Sequence, residues 1–319
     1  MKFFITVDVE IWLGGSENLN ERFPDAFKRY IYGSSRTGDL GLPLKLQILN
    51  DHGLKGVFFV EPLFSARFGK EPLAEIVGLI RDAGQEVQMH LHTEWVDVEG
   101  NPLSPGQSGS KQHLYMYSQG EQTKLLAKAK SLLAECGASD INAFRAGSFG
   151  MNDETMKALA ENGIPFDSSY NHTYLSPNTH MANGQILVQP IQVDGVYEYP
   201  MTVFEDRPGH YRHLQLGACS FSEMKSVMRQ ASESGWNSLV LLSHNFELMN
   251  QRKAGADPVV MQRFRKLAQF LEKHSDEITT AGFLGLKPEC VDRQPLPPRV
   301  PTSAVMIRHG EQIWRKIYR

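Results

Sequence analysis

Short apolar segments alternate with amphipathic segments along most of this chain. Segments such as Lys2–Val9 and Ser238–His244 are rich in branched and aromatic residues, which predicts buried strands. After Pro72, apolar residues recur every three or four positions, which predicts a helix that buries one face. The alternation of these two patterns indicates an α/β protein built around parallel strands.

Some seven or eight strand–helix units can be traced in this way. The predicted strands cover residues 2–9, 55–60, 86–95, 142–147, 166–170, 196–204, 238–244 and 283–286. The predicted helices begin near residues 42, 72, 119, 153, 222 and 258. This order predicts a distorted (β/α)7–8 barrel, closed or incomplete, whose active site lies at the carboxyl ends of the strands.

We expect residues 1–288 to form a single domain that is interrupted by long loop insertions. These lie near residues 13–41, 96–117 and 171–193. The first is rich in Gly, Asn, Ser and Arg, and we expect it to be a loop over the site. Residues 289–319 are rich in proline and then basic, which predicts a C-terminal arm with a short basic helix.

Composition and charge limit the kinds of molecule that the protein is expected to bind and the compartment in which it is expected to lie. The 319 residues carry a net charge of −3, so no basic field indicates nucleic-acid binding. No apolar run approaches a transmembrane segment, and the first residues read as a strand and not as a signal peptide. Three well-separated cysteines argue against a disulfide framework and predict a cytoplasmic protein. The sequence predicts no particular oligomeric state.

Candidate chemistry centres on the predicted strand that contains His90 and His92. Side chains alternate along a strand, so these two imidazoles share a face, and the carboxylate of Glu94 follows closely. Two histidines and a carboxylate are typical ligands of a divalent metal, with zinc as the default. A single histidine is more often a packed or surface residue, so matching side chains on other strands decide the interpretation.

Other predicted strands also end in reactive side chains. The first ends in Asp8 and Glu10, the fourth in Arg145, and the apolar strand near residue 240 in His244. A metal lowers the pKa of water and polarises a carbonyl, while a second carboxylate accepts a proton and a histidine protonates the leaving group. An arginine beside that carboxylate keeps it ionised. The set predicts metal-assisted hydrolysis of an amide or ester.

Over residues 2–287, the order and spacing of these segments resemble the polysaccharide deacetylases of carbohydrate esterase family 4. Ile5–Glu10 is similar to the family's first motif. The resemblance implies that Asp8 is the catalytic base and that Glu10 is a metal ligand, with Asp8 as the alternative ligand.

The segment Glu86–Glu94 is similar to the family's second motif, in which two histidines bind the metal. His90 matches the first of these histidines. Either His92 or Glu94 supplies the remaining ligand, and we favour His92 because it shares a strand face with His90.

Three further segments complete the resemblance. Arg145–Phe149 looks like the third motif, whose arginine pairs with the base, and Phe166–Ser169 like the fourth, which shapes the acetyl pocket. Leu242–His244 looks like the fifth, whose histidine is the general acid. Residues expected to contact substrate are Trp95, Phe149, Asp167 and Tyr170. Trp12 and Tyr174 are further aromatic residues that could stack on a sugar, although one or two members of this group are expected to be core residues.

The resemblance implies a metal-dependent hydrolase that removes an N-acetyl or O-acetyl group from an acetamido sugar or a polysaccharide precursor. Many members of the superfamily are secreted, whereas the first residues of this chain do not read as a signal peptide, which suits action at the cytoplasmic face on a nucleotide-linked or lipid-linked sugar. The variant forms of the first two motifs also look like deacetylases of O-antigen and capsule biosynthesis. Two alternatives remain open at this point. One is a hydrolase of cyclic amides or ureides from the same superfamily, and the other is a non-catalytic member that binds carbohydrate.

Overall fold

The computed structural model describes residues 1–14, 17–36, 38–96, 111–250 and 255–318. Its strands are β1 (Lys2–Val9), β2 (Ser34–Ser35), β3 (Gly38–Asp39), β4 (Gly56–Val60), β5 (Glu86–Leu91), β6 (Ala143–Ala146), β7 (Phe166–Asp167), β8 (Ile191–Val193), β9 (Val196–Glu198), β10 (Val203–Arg207), β11 (His210–His213), β12 (Ser238–His244), β13 (Met249–Asn250), β14 (Gly255–Ala256) and β15 (Thr279–Thr280). Its α-helices are α1 (Leu19–Phe27), α2 (Leu42–Asp51), α3 (Ser65–Phe68), α4 (Glu71–Asp82), α5 (Gln119–Glu135), α6 (Asp153–Glu161), α7 (Phe221–Glu233), α8 (Pro258–Lys273) and α9 (Thr302–Tyr318).

One curled sheet of parallel strands organises the molecule, in the order β12-β1-β4-β5-β6-β7-β9. The antiparallel strand β8 pairs with β9, and β15 pairs with the start of β1. The edge of β12 that faces away from β1 is hydrogen-bonded to residues 214–216. The main-chain N–H of Leu216 donates to Leu242 O, and that of Leu242 donates to Leu214 O. The result is the predicted distorted, incomplete (β/α) barrel, and the fold class is confirmed.

Apolar side chains cover both faces of this sheet, which explains why its strands read as nearly continuous apolar runs. On the outer face the helices bury their stripes, as α4 does with Leu73, Ile76, Val77 and Ile80. On the inner face a smaller cluster fills part of the barrel; it includes Phe4, Phe59, Tyr199, Val240 and Phe283. The polar side chains at the carboxyl ends of the strands therefore lie next to a layer of packed apolar side chains.

Three expectations about local structure are wrong. The 13–41 insertion is not one loop, because it contains α1 and a π-helical turn over Lys28–Tyr32. The predicted strand 196–204 is two strands, β9 and β10, and β10 forms a hairpin with β11 across Pro208 and Gly209. Residues 283–286 are not a strand, and the last strand is instead β15.

Each error has a local physical cause. Helix α1 contains Pro24 in its interior, where a proline usually interrupts a helix, so the sequence there did not read as one. The hairpin turn at Pro208–Gly209 is a turn signal that the apolar run before it obscured. Of the 96–117 insertion, residues 97–110 lie outside the described part of the chain, and Leu114–Met116 forms a short 3₁₀ turn.

The C-terminal arm contains α9, a helix of 17 residues that is longer than predicted. Three of its charged residues, Arg308, Glu311 and Arg315, face the body of the protein. Arg308 donates to Asp206 at 2.7 Å and to Glu223 at 2.8 Å, and Glu311 accepts from Arg263 at 2.6 Å. Among the described residues, none of the helices is both long and apolar enough to cross a bilayer.

Replacing Arg308 by Ala should destabilise the protein by about 3–5 kcal/mol, because it removes the buried cation from Glu223 and the nearest guanidinium from Asp206. The matched control is Arg299→Ala, which removes an exposed guanidinium 3.6 Å from Glu205. We expect the control to cost less than about 1 kcal/mol. Urea unfolding measures both values, and equal losses would contradict the assignment of α9 as an ion-paired part of the body.

Candidate active site

Three buried side chains converge above the centre of the sheet. Glu10 follows the end of β1, and His90 and His92 lie on one face at the end of β5. The carboxylate oxygen Oε1 of Glu10 lies 3.0 Å from Nε2 of His90 and 3.0 Å from Nε2 of His92. Two imidazoles and one carboxylate therefore point their ligand atoms at one another, within 4.8 Å.

The outer nitrogen of each imidazole has a partner that determines its role. Nδ1 of His90 donates to the carbonyl oxygen of Arg145 at 2.8 Å, since a carbonyl can only accept. Nδ1 of His92 lies 3.1 Å from Oε2 of Glu94 and donates in the same way. In the neutral tautomers both Nε2 atoms then carry lone pairs, which is the arrangement of metal-ligating histidines held by a supporting acceptor.

The donor set fits a divalent cation. In those tautomers, two nitrogen lone pairs face the Glu10 carboxylate across 3.0 Å, and only a proton or a cation can relieve that repulsion. Burial opposes ionisation of both groups, but their attraction outweighs it. The charge of His92 and its hydrogen bond hold the pKa of Glu10 well below its usual value, and Glu10 raises the pKa of His92. Glu94 holds His92 by a hydrogen bond to Nδ1 and is not itself one of the three converging side chains.

Asp8 and Arg145 form the second part of the site. Nη1 of Arg145 donates to Oδ1 of Asp8 at 2.7 Å and to Oγ1 of Thr6 at 2.8 Å. The guanidinium is fully buried, donates to the carbonyl of Ser168 and stacks over the ring of Phe59. These partners hold the guanidinium in one position, and the arginine therefore fixes the orientation of the Asp8 carboxylate.

His244 forms the third part. It pairs with Asp8 in the register of β1 and β12, and this places the imidazole beside the carboxylate. Nδ1 of His244 lies 3.2 Å from Oε1 of Glu247, which also accepts from Nε2 of Gln215 at 2.7 Å. Burial alone would lower the pKa of His244. The hydrogen bond to Glu247 and the charge of Glu10 outweigh burial and raise that pKa to about 9.

The three parts line one cavity of about 250 Å³. Aromatic and polar residues complete its walls: Trp12 after β1, Ser148 and Phe149 after β6, Tyr174 after β7, His213 at the end of β11 and Gln215 just beyond it. Ser148 and Phe149 have φ values of 51° and 57°, a left-handed backbone that is uncommon outside glycine. Such strained residues cluster at functional sites, and these two lie beside the proposed catalytic groups.

The structure brings together most of the predicted site residues. Asp8, Glu10, His92, Phe149 and His244 line the cavity, and His90 and Arg145 lie in direct contact with them. Trp95 lines a neighbouring cavity that also reaches Glu10 and His92.

Asp167 and Tyr170 are buried away from the reacting groups. Asp167 pairs with Glu198 in the register of β7 and β9, and both are fully buried. Burial and the charge of Asp167 raise the pKa of Glu198 well above its usual value. Tyr170 packs in the core, with its main-chain N–H donating to Glu198. Asp194 lies in the turn between β8 and β9.

The sequence left Asn245 and Glu247 as residues that could line the cleft without placing them, and it missed His213 and Gln215. Glu247 and Asn245 follow β12 immediately, and only their position after a strand end could have marked them. The side-chain amide of Asn245 donates to Glu10 O and accepts from Glu10 N, both at 3.1 Å. His213 and Gln215 follow the unpredicted hairpin, so the error at β10 and β11 hid them.

Comparison with solved structures places the fold. A protein from Mycobacterium smegmatis that is assigned to the polysaccharide deacetylases matches with a TM-score of 0.56 and 20% sequence identity, over 92% of this chain and 94% of that chain. The fold is that of the polysaccharide deacetylases. A family 4 carbohydrate esterase from Streptomyces lividans, solved with acetate, matches over 93% and 97% of the two chains, with 13% identity and a TM-score of 0.43.

The polysaccharide deacetylase fold is not tied to one chemistry. A 4-alpha-glucanotransferase from Thermococcus litoralis matches with a TM-score of 0.55 and 12% identity, over 99% of this chain and 46% of that chain. Comparison with family models and with curated proteins found no match. The side chains of the site, and not the fold, therefore have to carry any argument about function.

Gly147 offers a test of the packing around His92. A Cβ atom at this position would lie 2.8 Å from Nδ1 of His92 and 2.8 Å from Leu91 O. Gly147→Ala should therefore displace His92 and weaken zinc binding by about 10–100-fold, the usual cost of disturbing a supporting contact. Gly120→Ala is the control, because a Cβ there meets nothing within 4 Å. Competition with a chromophoric chelator measures the affinity, and equal affinities would contradict the proposed role of His92.

Proposed function

We propose that this protein is a zinc-dependent deacetylase that removes an N-acetyl or O-acetyl group from a sugar. One observation carries the proposal. The buried Glu10–His90–His92 group faces a buried carboxylate held by arginine and a histidine held by a second carboxylate, around a single cavity. The structural neighbours assigned to the polysaccharide deacetylases and to family 4 carbohydrate esterases agree with it.

Glu10, His90 and His92 would hold the metal ion. Zinc suits this set because it accepts imidazole nitrogen and carboxylate oxygen and leaves a position open in catalytic sites. When bound, zinc supplies Lewis-acid polarisation of a carbonyl and lowers the pKa of water. Glu94 and the carbonyl of Arg145 hold the two imidazoles in the tautomer that this role requires.

Asp8 acts as the general base. It accepts a proton from the attacking water, whose oxygen forms the new bond to the carbonyl carbon of the acetyl group. Arg145 holds the carboxylate through one oxygen at 2.7 Å and so fixes the orientation of the base. Because the guanidinium is fully buried, this pairing is not weakened by solvent.

His244 acts as the general acid. Its pKa of about 9 keeps the imidazole protonated at neutral pH, so it can donate a proton to the leaving nitrogen or oxygen as the bond to carbon breaks. Acetate and the free amine or hydroxyl are the products. Glu247 holds the ring through Nδ1, which leaves Nε2 as the donor.

We further propose that the substrate is an acetamido sugar in a precursor of a surface polysaccharide, handled in the cytoplasm. Phe149 and Tyr174 stand at the cavity, where their rings can stack on a sugar face. Cys136, Cys219 and Cys290 are free thiols, which suits a reducing compartment. The division of the chain into a barrel of residues 1–288 and an arm of residues 289–319 stays a prediction.

The direct test is acetate release from N-acetylated sugars, including nucleotide-linked and oligomeric ones, by the zinc-loaded protein. Asp8→Asn should lower the rate by about 10²–10⁴-fold, because it removes the base while preserving shape. Glu233→Gln, an exposed change on α7, is the matched control and should leave the rate unchanged. Undiminished acetate release by Asp8→Asn would contradict the mechanism. Hydrolysis of cyclic ureides in place of acetylated sugars would identify the alternative enzyme, and zinc-loaded protein that binds sugar without releasing acetate would identify a non-catalytic member.

Glu247→Gln should change the pH dependence of that reaction. The carboxylate raises the pKa of His244, so its neutral replacement lowers this pKa toward the ordinary histidine value. A general acid works only while protonated, and the alkaline fall of the rate should therefore move to lower pH. The profile of kcat against pH measures the shift, with Glu233→Gln again as control. If the alkaline fall of the rate stays at the same pH, Glu247 is excluded as the group that raises the pKa of His244.

A further inference from the structure

A second cavity, of about 390 Å³, adjoins the proposed metal ligands. It lies between the end of β1, the start of α1 and the ends of β4 and β5. Its lining consists of Glu10, Ile11, Trp12, Leu13, Gly14, Leu19, Glu61, His92, Glu94 and Trp95. Three of these residues, Glu10, Trp12 and His92, also line the smaller cavity that contains His244. The two cavities therefore meet at the same reacting centre, and we call the larger one the acyl cavity.

The lining favours an apolar ligand. Ile11, Leu13, Leu19 and Trp95 are each less than 9% exposed, so the cavity is walled by packed apolar side chains. Its volume lies in the range of roughly 300–1,000 Å³ found for pockets that bury small molecules. Because such a pocket gains affinity by removing apolar surface from water, hydrocarbon is the matching chemistry.

The carboxylates at the wall already accept hydrogen bonds from the protein. Glu61 accepts from the main-chain N–H of Leu63 at 2.7 Å and of Phe64 at 3.3 Å. Oε2 of Glu94 accepts from His92, and Oε2 of Glu10 accepts from Trp12 at 2.8 Å. Because these oxygens already accept hydrogen bonds from protein groups, they offer few further hydrogen bonds to a ligand. This again favours hydrocarbon over a sugar with many hydroxyl groups.

The chemistry of the reaction assigns the two cavities to the two sides of the substrate. The carbonyl carbon that the water attacks carries its oxygen and two substituents, the acyl chain and the leaving group. The leaving group has to face His244 to receive its proton, and His244 lies in the smaller cavity. The acyl chain then occupies the larger, apolar cavity.

We propose that this protein also hydrolyses acyl groups longer than acetyl, whose hydrocarbon chain occupies the acyl cavity. This inference rests on the proposed hydrolytic function and specifies its substrate class. A single methyl group fills little more than the roughly 30 Å³ that one water molecule takes up in the liquid, so an acetyl group would leave most of the cavity without a ligand. A chain of several carbons removes more apolar surface from water at the same site.

The test uses a series of para-nitrophenyl esters, from acetate through butyrate to hexanoate, with the zinc-loaded protein. The constant leaving group separates the acyl side from the unidentified sugar. We expect kcat/KM to rise about fourfold for each added methylene, which corresponds to about 0.8 kcal/mol. Leu19→Trp, which fills the cavity, should abolish most of the preference for hexanoate over acetate, and Leu19→Ala should keep it. Leu296→Trp adds the same side chain at a position that is 90% exposed and should keep the wild-type series.

A rate that falls with chain length, or a series that Leu19→Trp leaves unchanged, would overturn the assignment. A binding measurement separates this failure from failure of the hydrolytic function. In the Asp8→Asn background, calorimetry compares N-hexanoyl- with N-acetylglucosamine. Tighter binding of the hexanoyl compound without hydrolysis of any ester by the wild-type protein would support the acyl cavity and refute the hydrolase. Equal binding would overturn the acyl cavity.

Discussion

The structure of the site depends on the contact between Glu10 and two imidazoles. His90 and His92 have their outer nitrogens bound to acceptors, so their inner nitrogens and the Glu10 carboxylate face one another. Buried lone pairs in this arrangement repel unless a positive charge lies among them. The protein can supply that charge only as protons, whereas a divalent metal ion satisfies all three groups together. The requirement for a cation explains why carboxylate and imidazoles tolerate burial beside an apolar core.

The remaining parts of the site follow from the parallel sheet. Neighbouring strands of a parallel sheet end on the same side, so their last side chains meet. The register pairs Asp8 with His244 across β1 and β12, and His90 with Arg145 across β5 and β6. The groups proposed as base, acid and metal ligands are thus brought together by hydrogen bonding between main chains. Glu247, Glu94 and Arg145 then fix the orientation of side chains that the strands have already placed.

Much of this arrangement could be predicted from the sequence, because it depends on local periodicity. The alternation of strands and helices predicts the barrel, and the period of two along a strand places His90 and His92 on one face. The supporting residues could not be predicted in this way. Glu247 and His213 lie after strand ends or hairpins, where no periodic pattern applies, and the buried pair of Asp167 and Glu198 depends on the register of two very short strands. The acyl cavity could not be predicted either, since one wall belongs to α1, a helix that contains Pro24 and therefore reads as a loop.

The central claim is that Glu10, His90 and His92 form one metal site. The most direct measurement is anomalous diffraction at the zinc edge from crystals of the zinc-loaded protein. The account predicts one fully occupied peak per chain, at about 2.0–2.2 Å from a carboxylate oxygen of Glu10 and from Nε2 of both histidines. A peak whose ligands include Glu94 in place of His92, or crystals with no stoichiometric zinc at this position, would contradict it.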